Sequence, residues 1–386
     1  TITNTQARIR GDLMAQKPLT AAEQAAILQA FGGGKAGFKK GANERSAFDA
    51  QRRENAEPVI LSPDDVKGQY DSSRALETTL GGIKRQITAE DLEAFRKNIE
   101  TVRKAYKQGI TADQVLNMSL DIDLERAKTQ IFTALPTRYK GNVLHFMTNA
   151  SKESDVKQHY VTVKFLDLVA IATTPIPLLT ATKQVARGYL AFDCDCGRHT
   201  FWYRYISTIG GFNAGRAETG FPKIRNPNLH GVACKHVLKV MSVIDTALSM
   251  QAIKEMVKIA RKSAKPIDEL PENQLSAKEV KDAAKRQLEK AHHERNQVRR
   301  ASDDPVKQRR AKKEAERLAK ASQDKVKQQR EERKRIITSG SPMERLNLRI
   351  DLENRVKTLQ REYSMSANEN LLDAIENLQN DINRLI

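Results

Sequence analysis

Residues 188–205 have the sequence GYLAFDCDCGRHTFWYRY, and residues 232–241 have the sequence VACKHVLKVM. All three cysteines of the 386-residue chain and one neighbouring histidine lie in these two stretches: Cys194, Cys196, Cys234 and His236. Thiolates and imidazoles at such short spacings are the ligands of tetrahedral zinc sites in proteins. The sequence therefore predicts one metal ion, preferably Zn²⁺, bound by these four side chains.

The residues around the ligands predict a β-hairpin followed by a helix. Residues 188–193 and 200–205 alternate and are rich in aromatic side chains, as strands are. Cys194 and Cys196, two apart near the hairpin tip, then share a face and can both reach a metal about 2.3 Å away. The second pair of ligands opens a segment to Ala260 that is expected to be helical, and its first turn favours thiolate over thiol.

The order Cys-x-Cys, spacer, Cys-x-His on a predicted ββα unit resembles the SWIM-type zinc finger. The resemblance covers about residues 188–245, and the four ligand positions match Cys194, Cys196, Cys234 and His236. It implies a structural zinc and a module that contacts DNA or protein and is not catalytic.

Other assignments of these residues stay open. Three buried cysteines pack well as small hydrophobic side chains without any metal. His199 and His230 are alternative fourth ligands. An iron–sulfur cluster is a further alternative, although three thiolates with one imidazole suit zinc better.

The composition limits the partners and the compartment. The chain is 39% hydrophobic, 5% aromatic and 30% charged, with a formal net charge of +18, which favours nucleic acid or an acidic protein surface as a partner. It contains no apolar run near twenty residues and no charged-then-apolar leader. We therefore expect no membrane span and no secretory signal, and synthesis in a reducing cytoplasm.

The predicted fold class is α+β, with a small zinc-stapled hairpin and helix flanked by helical and extended segments. The predicted segments are an extended arm (1–80), a helical segment (81–135), an α+β domain (136–260) with the zinc finger (188–245), a long basic helical linker (261–340) and a C-terminal helical hairpin or coiled coil (341–386).

Local signals place the elements outside the zinc finger. Thr88 and Thr111 begin helices, the second of them with a capping box. Residues 143–147 and 159–165 are expected to pair as a β-hairpin. Ser341 has Pro at the next position and Glu three residues on, and Leu, Ile and Val then recur at helical spacing to the end of the sequence.

Two basic regions are candidate interaction surfaces. The loop 210–216 is expected to join nearby cations in a basic, aromatic surface that contacts phosphate or an acidic protein, or is simply solvated; these cations are Arg198, Arg204, Lys235 and Lys239. Residues 261–336 contain 24 Lys and Arg against 14 Asp and Glu, with the apolar residues far apart. This segment is expected to be a solvated helix.

No motif indicates an enzyme. The chain lacks a Gly-x-Ser-x-Gly elbow, a Walker loop and a Gly-x-Gly-x-x-Gly after a strand, and a metal with four protein ligands has no open position for water.

Two functions are compatible with these features. One is a non-enzymatic structural protein that joins neighbouring subunits of a large assembly, since residues 188–241 are similar to a segment of virion structural proteins of tailed bacteriophages; the resemblance implies a head, neck, tail or baseplate component, located in the virion. The alternative is a nucleic-acid-binding protein with a SWIM-like finger. We expect the first, because a C-terminal coiled coil has no role in simple DNA binding.

Overall fold

The protein has an α+β fold, as the sequence predicts. The computed structural model describes residues 20–30, 34–82, 84–107, 109–263, 265–302, 331–366 and 370–385, with residues 320, 324, 327 and 328. Residues 1–19 of the expected arm and 303–319 of the expected linker lie outside this described part. The chain divides into a first unit, residues 1–299, and a second unit, residues 300–386.

The first unit contains a sheet surrounded by helices. Its helices are α1 (Ala21–Ala30), α2 (Gly34–Asn55), α3 (Ala89–Ala105), α4 (Ala112–Asn117), α5 (Asp121–Gln130), α6 (Leu168–Ala172), α7 (Leu178–Arg187), α8 (Arg204–Ile209), α9 (Lys235–Met241), α10 (Ala247–Lys262) and α11 (Ala277–Ser302). Its strands are β1 (Glu77–Thr78), β2 (Arg85–Gln86), β3 (Ala134–Lys140), β4 (Val143–Asn149), β5 (Gln158–Phe165), β6 (Leu190–Cys194) and β7 (Asn273–Gln274).

The main sheet is antiparallel, with the order β6-β5-β4-β3-β7. Strands β4 and β5 form the hairpin that residues 143–147 and 159–165 predict, with Leu144 opposite Val163. Strand β6 extends the sheet on the other side of β5, and its last residue, Cys194, pairs with Val161. The sheet therefore fixes the position of the first predicted ligand.

The two faces of the sheet are both covered. Leu144, Phe146, Val161 and Val163 belong to the main core, on which α9 packs against strands β3 to β6. Alternate residues of the strands face the other way, because successive side chains in a strand point to opposite faces. There Met147 and its neighbour Leu135 pack against the beginning of α11.

Helix starts agree well with the sequence. Thr88 and Asp91 form a capping box at the start of α3, and Thr111 and Gln114 form one at the start of α4. Residues 242–246 differ from the expectation, because a turn there separates α9 from α10 where one helix to Ala260 was predicted.

Residues 200–205 are helical and not a strand. They form a wide helical turn, His199–Tyr203, that leads into α8, and the Thr200 N–H donates to the Cys196 carbonyl at 3.0 Å. The predicted hairpin of β6 with residues 200–205 is therefore wrong, and β6 pairs with β5 instead. Burial explains the difference. Tyr203, Arg204 and Tyr205 are consecutive and all buried, whereas side chains of a half-exposed strand alternate between the core and the solvent.

Residues 20–80 differ from the expected extended arm. Helices α1 and α2 occupy most of residues 21–55, and Leu61, Val66 and Leu76 are buried in the main core. Those three side chains are too widely spaced to show a helical or strand period, so the sequence pattern did not reveal them.

The beginning of the expected solvated linker is also part of the first unit. Val280, Ala283, Ala284 and Leu288 are buried. They form a stripe at spacings of three and four, which was missed because two of its members are alanines.

The second unit contains the predicted helical hairpin. The hairpin consists of α12 (Pro342–Ser366) and α13 (Asn370–Asn383), and among the other described residues of this unit 331–339 are also helical. Ser341 and Glu344 cap α12 reciprocally, with N–H donations of 2.9 and 3.3 Å. The core of the hairpin consists of Leu352, Val356, Ile375 and Leu378.

Among the helices of the described ranges, none combines the length and the apolar character that crossing a lipid bilayer requires.

Candidate metal centre

The structure brings the four predicted ligands together. Cys194 ends β6, Cys196 follows two residues later, Cys234 is the N-cap of α9, and His236 lies in the first turn of that helix. Their ligand atoms all lie within 4.8 Å of one another, and all four side chains are buried. This cluster can hold a metal ion.

The spacing within the cluster suits a tetrahedral ion. The Cys194 Sγ atom lies 3.9 Å from Nδ1 of His236. Metal–sulfur bonds of about 2.3 Å and metal–nitrogen bonds of about 2.0–2.1 Å place the sulfur and nitrogen atoms of a tetrahedral site about 3.6 Å apart. The observed separation is therefore close to that of a metal site.

Burial makes His236 suitable as a neutral ligand. Burial lowers the pKa of His236, so the ring is neutral and has a lone pair available for a metal. Nδ1 is the ring nitrogen that lies beside Cys194 Sγ, whereas Nε2 is buried without a hydrogen-bond partner in the described part of the chain. Nδ1 is therefore the atom placed to bind a metal, with the ring proton on Nε2.

The pKa values of Cys194 and Cys234 are shifted in opposite directions. Burial and the neighbouring Cys196 and Cys234 raise the pKa of Cys194 well above its ordinary value. For Cys234, burial acts in the same direction but is outweighed by hydrogen bonds from Cys194, Cys196 and the backbone N–H groups of α9, so its pKa lies well below the ordinary value. Without a metal the cluster thus favours one thiolate, and a divalent cation would allow the others to lose their protons.

The two alternative histidines do not join the cluster. His199 is buried, but its Nε2 lies 3.1 Å from Oδ1 of Asp193, and its backbone N–H donates to Cys196 Sγ at 3.3 Å. His230 is exposed. The choice of His236 as the histidine of the set is therefore the one that the geometry favours.

Charged residues next to the ligands form an outer layer that the sequence did not reveal. Asp195, between the two cysteines of Cys-x-Cys, accepts hydrogen bonds from Arg45 at 2.5 Å and from the Tyr160 N–H at 3.1 Å, and it lies 2.8 Å from Nδ1 of His159. The His159 ring lies 4.2 Å from the His236 ring, centroid to centroid. His159 thus lies beside a predicted ligand.

A second buried ionic cluster anchors the chain just after Cys196. Arg198 donates to Asp123 at 2.7 and 3.1 Å, and its guanidinium lies 3.5 Å from the centre of the Trp202 ring. Tyr203 also donates to Asp123. Asp123 therefore connects α5 to the segment between the ligand pairs.

The expected basic surface around the loop 210–216 does not form as predicted. Arg198 is paired with Asp123, and Arg204, 3% exposed, is paired with Asp193 and Asp49. Lys235 donates to Gln130 at 2.6 Å. Most of the cations assigned to this surface are engaged with the protein itself.

Comparison of the chain with protein-family models, with curated proteins and with solved structures found no match.

Proposed function

We propose that the chain is a non-enzymatic structural protein whose Cys194, Cys196, Cys234 and His236 hold a structural zinc. The observation that carries this proposal is the closed, buried ligand set: the ligand atoms of four protein side chains lie within 4.8 Å of one another, and each residue is at most 4% exposed. Catalytic zinc sites keep one position for water or substrate. When bound, the zinc would supply folding energy by joining the edge of the sheet to the start of α9.

We further propose that the protein joins neighbouring subunits of a large assembly. The hairpin core is small, and α12 carries a second apolar stripe in addition to the one that faces α13. Met343, Leu346 and Ile350, at spacings of three and four, are 66%, 51% and 49% exposed. A hairpin of this size gains little stability alone, so a partner that covers this stripe would stabilise it.

The resemblance of residues 188–241 to virion proteins of tailed bacteriophages gives the proposal its most specific form. The chain would then be a head, neck, tail or baseplate component, made in the host cytoplasm and located in the virion. The SWIM resemblance supports the same ligand set and a module that contacts other macromolecules.

Nucleic-acid binding is the alternative function, and its support is the net charge of +18. The pairing of Arg198 and Arg204 with buried carboxylates weighs against it, because these cations are already neutralised.

Sedimentation velocity of the full chain and of a chain ending at residue 340 tests the assembly proposal. We expect the full chain to form a larger species at micromolar concentration and the shortened chain to lose it, with the same metal content in both. Equal sedimentation of both as monomers would reject the hairpin as the joining element. Tight DNA binding that weakens about 10³-fold between 50 and 200 mM salt would favour the alternative.

A further inference from the structure

Helix α2 packs against the rest of the first unit through polar side chains along residues 39–55, the part whose side chains are described. None of these side chains is fully buried, and Phe48 is 68% exposed. A surface helix of a globular protein normally packs an apolar stripe on the core. Contacts other than hydrophobic burial must therefore hold residues 39–55 in place.

Ion pairs supply that attachment. Arg45, Asp49 and Arg53 follow one another at a spacing of four and so share one face of the helix. Arg45 contacts Asp195 at 2.5 Å, Asp49 contacts Arg204 at 2.5 Å, and Arg53 contacts Glu218 at 2.9 Å.

Two arginines of the same helix also stack on aromatic rings of the first unit. The Arg45 guanidinium lies 5.0 Å from the centre of the Tyr160 ring, and that of Arg52 lies 4.4 Å from the centre of the Phe201 ring. These cation–π contacts add to the ionic attachment.

The partners of this helix are the immediate neighbours of the predicted ligands. Asp195 separates Cys194 from Cys196, and Arg45 holds its carboxylate. Arg204, which binds Asp49, also donates to Asp193 at 3.0 Å and to the carbonyl of Cys194 at 3.2 Å. Helix α2 is thus connected to Asp195, which follows Cys194, through Arg45. It is connected to Asp193, which precedes Cys194, through Asp49 and Arg204.

We propose that α2 is an ionic strap coupled to the metal centre, and that Arg45 is a positioning residue for the Cys-x-Cys turn. This rests on the proposed zinc site. A bound metal would fix the Cys-x-Cys turn, which carries Asp195, and so favour docking of α2. Because such coupling is reciprocal, docking of α2 would hold the same turn in its ligating geometry and raise the metal affinity. High salt weakens the attachment by screening the ion pairs.

The test compares two full-length variants that each remove one positive charge from α2. Arg45→Ala removes the contact to Asp195, whereas Lys40→Ala removes a side chain that is 79% exposed and pairs only within the helix. Zinc affinity is measured by competition with a chelator of known affinity, and strap docking by the rate of chymotryptic cleavage after Phe48.

We expect Arg45→Ala to bind zinc about 10-fold to 100-fold more weakly and to be cleaved faster, and Lys40→Ala to match the wild type. Arg45→Gln removes the same charge with a smaller change in side-chain volume, so it serves if Arg45→Ala does not fold. Equal zinc affinity in the Arg45 variant and in Lys40→Ala would overturn the strap alone. Absence of metal from the wild type would instead overturn the zinc site, and the strap coupling with it.

Discussion

The first and second units are closed by different means. In the first unit, beside the main hydrophobic core, four candidate ligands at and just after the end of β6 and at the start of α9 meet in a buried cluster, although Cys196 and Cys234 are 38 residues apart. In the second unit, Leu352, Val356, Ile375 and Leu378 pack two adjacent helices against each other. The cluster of the first unit requires four specific side chains, whereas the hairpin of the second unit requires only a repeated apolar stripe.

This difference determines what each unit tolerates. Replacing one ligand leaves a metal site incomplete and removes binding energy that acts as folding energy. Replacing one leucine of a hairpin removes only its share of the buried apolar surface. The two units should therefore respond separately and to different degrees.

The largest effect is expected from Cys234→Ser. Structural zinc sites contribute about 10–16 kcal/mol of apparent binding energy, which is comparable to the whole stability of a domain. We expect this variant to lose its metal and the protection of residues 188–245 against hydrogen exchange, while the exchange of α12 and α13 stays unchanged.

Lys235→Gln is the matched control for that experiment. It changes the residue between Cys234 and His236 without removing a ligand, so it should retain the metal. Normal protection of residues 188–245 in Cys234→Ser would mean that the first unit does not depend on the metal.

A smaller effect is expected from Leu352→Ala in the second unit. Leu352 is 1% exposed, and truncation of a buried leucine costs about 2–5 kcal/mol. We expect faster hydrogen exchange throughout α12 and α13, with zinc content and the exchange of the first unit unaltered.

The control for this variant is the neighbouring residue on the same helix. Asp351 is exposed and belongs neither to the hairpin core nor to the stripe of Met343, Leu346 and Ile350, so Asp351→Ala should change hairpin stability by no more than about 0.5 kcal/mol. Equal effects of the two variants would show that the stripe facing α13 is not the core of the hairpin.

The sequence predicted those features whose cause is local. Ser341 and Thr88 indicated helix starts, because an acidic side chain three residues later can form a capping box with each of them. The apolar residues of the C-terminal stripe recur at helical spacing. The two ligand pairs were visible because cysteine occurs nowhere else in the chain. Each of these signals is contained in a few neighbouring residues.

Features that depend on distant partners were missed. The aromatic run 200–205 has the composition of a strand, but consecutive burial of Tyr203, Arg204 and Tyr205 requires a helical turn there. Helix α2 shows charges at a spacing of four, yet nothing near it indicates that Asp195 and Arg204 are their partners.

The zinc site itself can be measured by elemental analysis of the wild-type protein, purified without added metal, by inductively coupled plasma mass spectrometry. We expect one equivalent of zinc per chain, retained through dialysis and lost in Cys234→Ser. Folded wild-type protein with no bound metal would contradict this expectation.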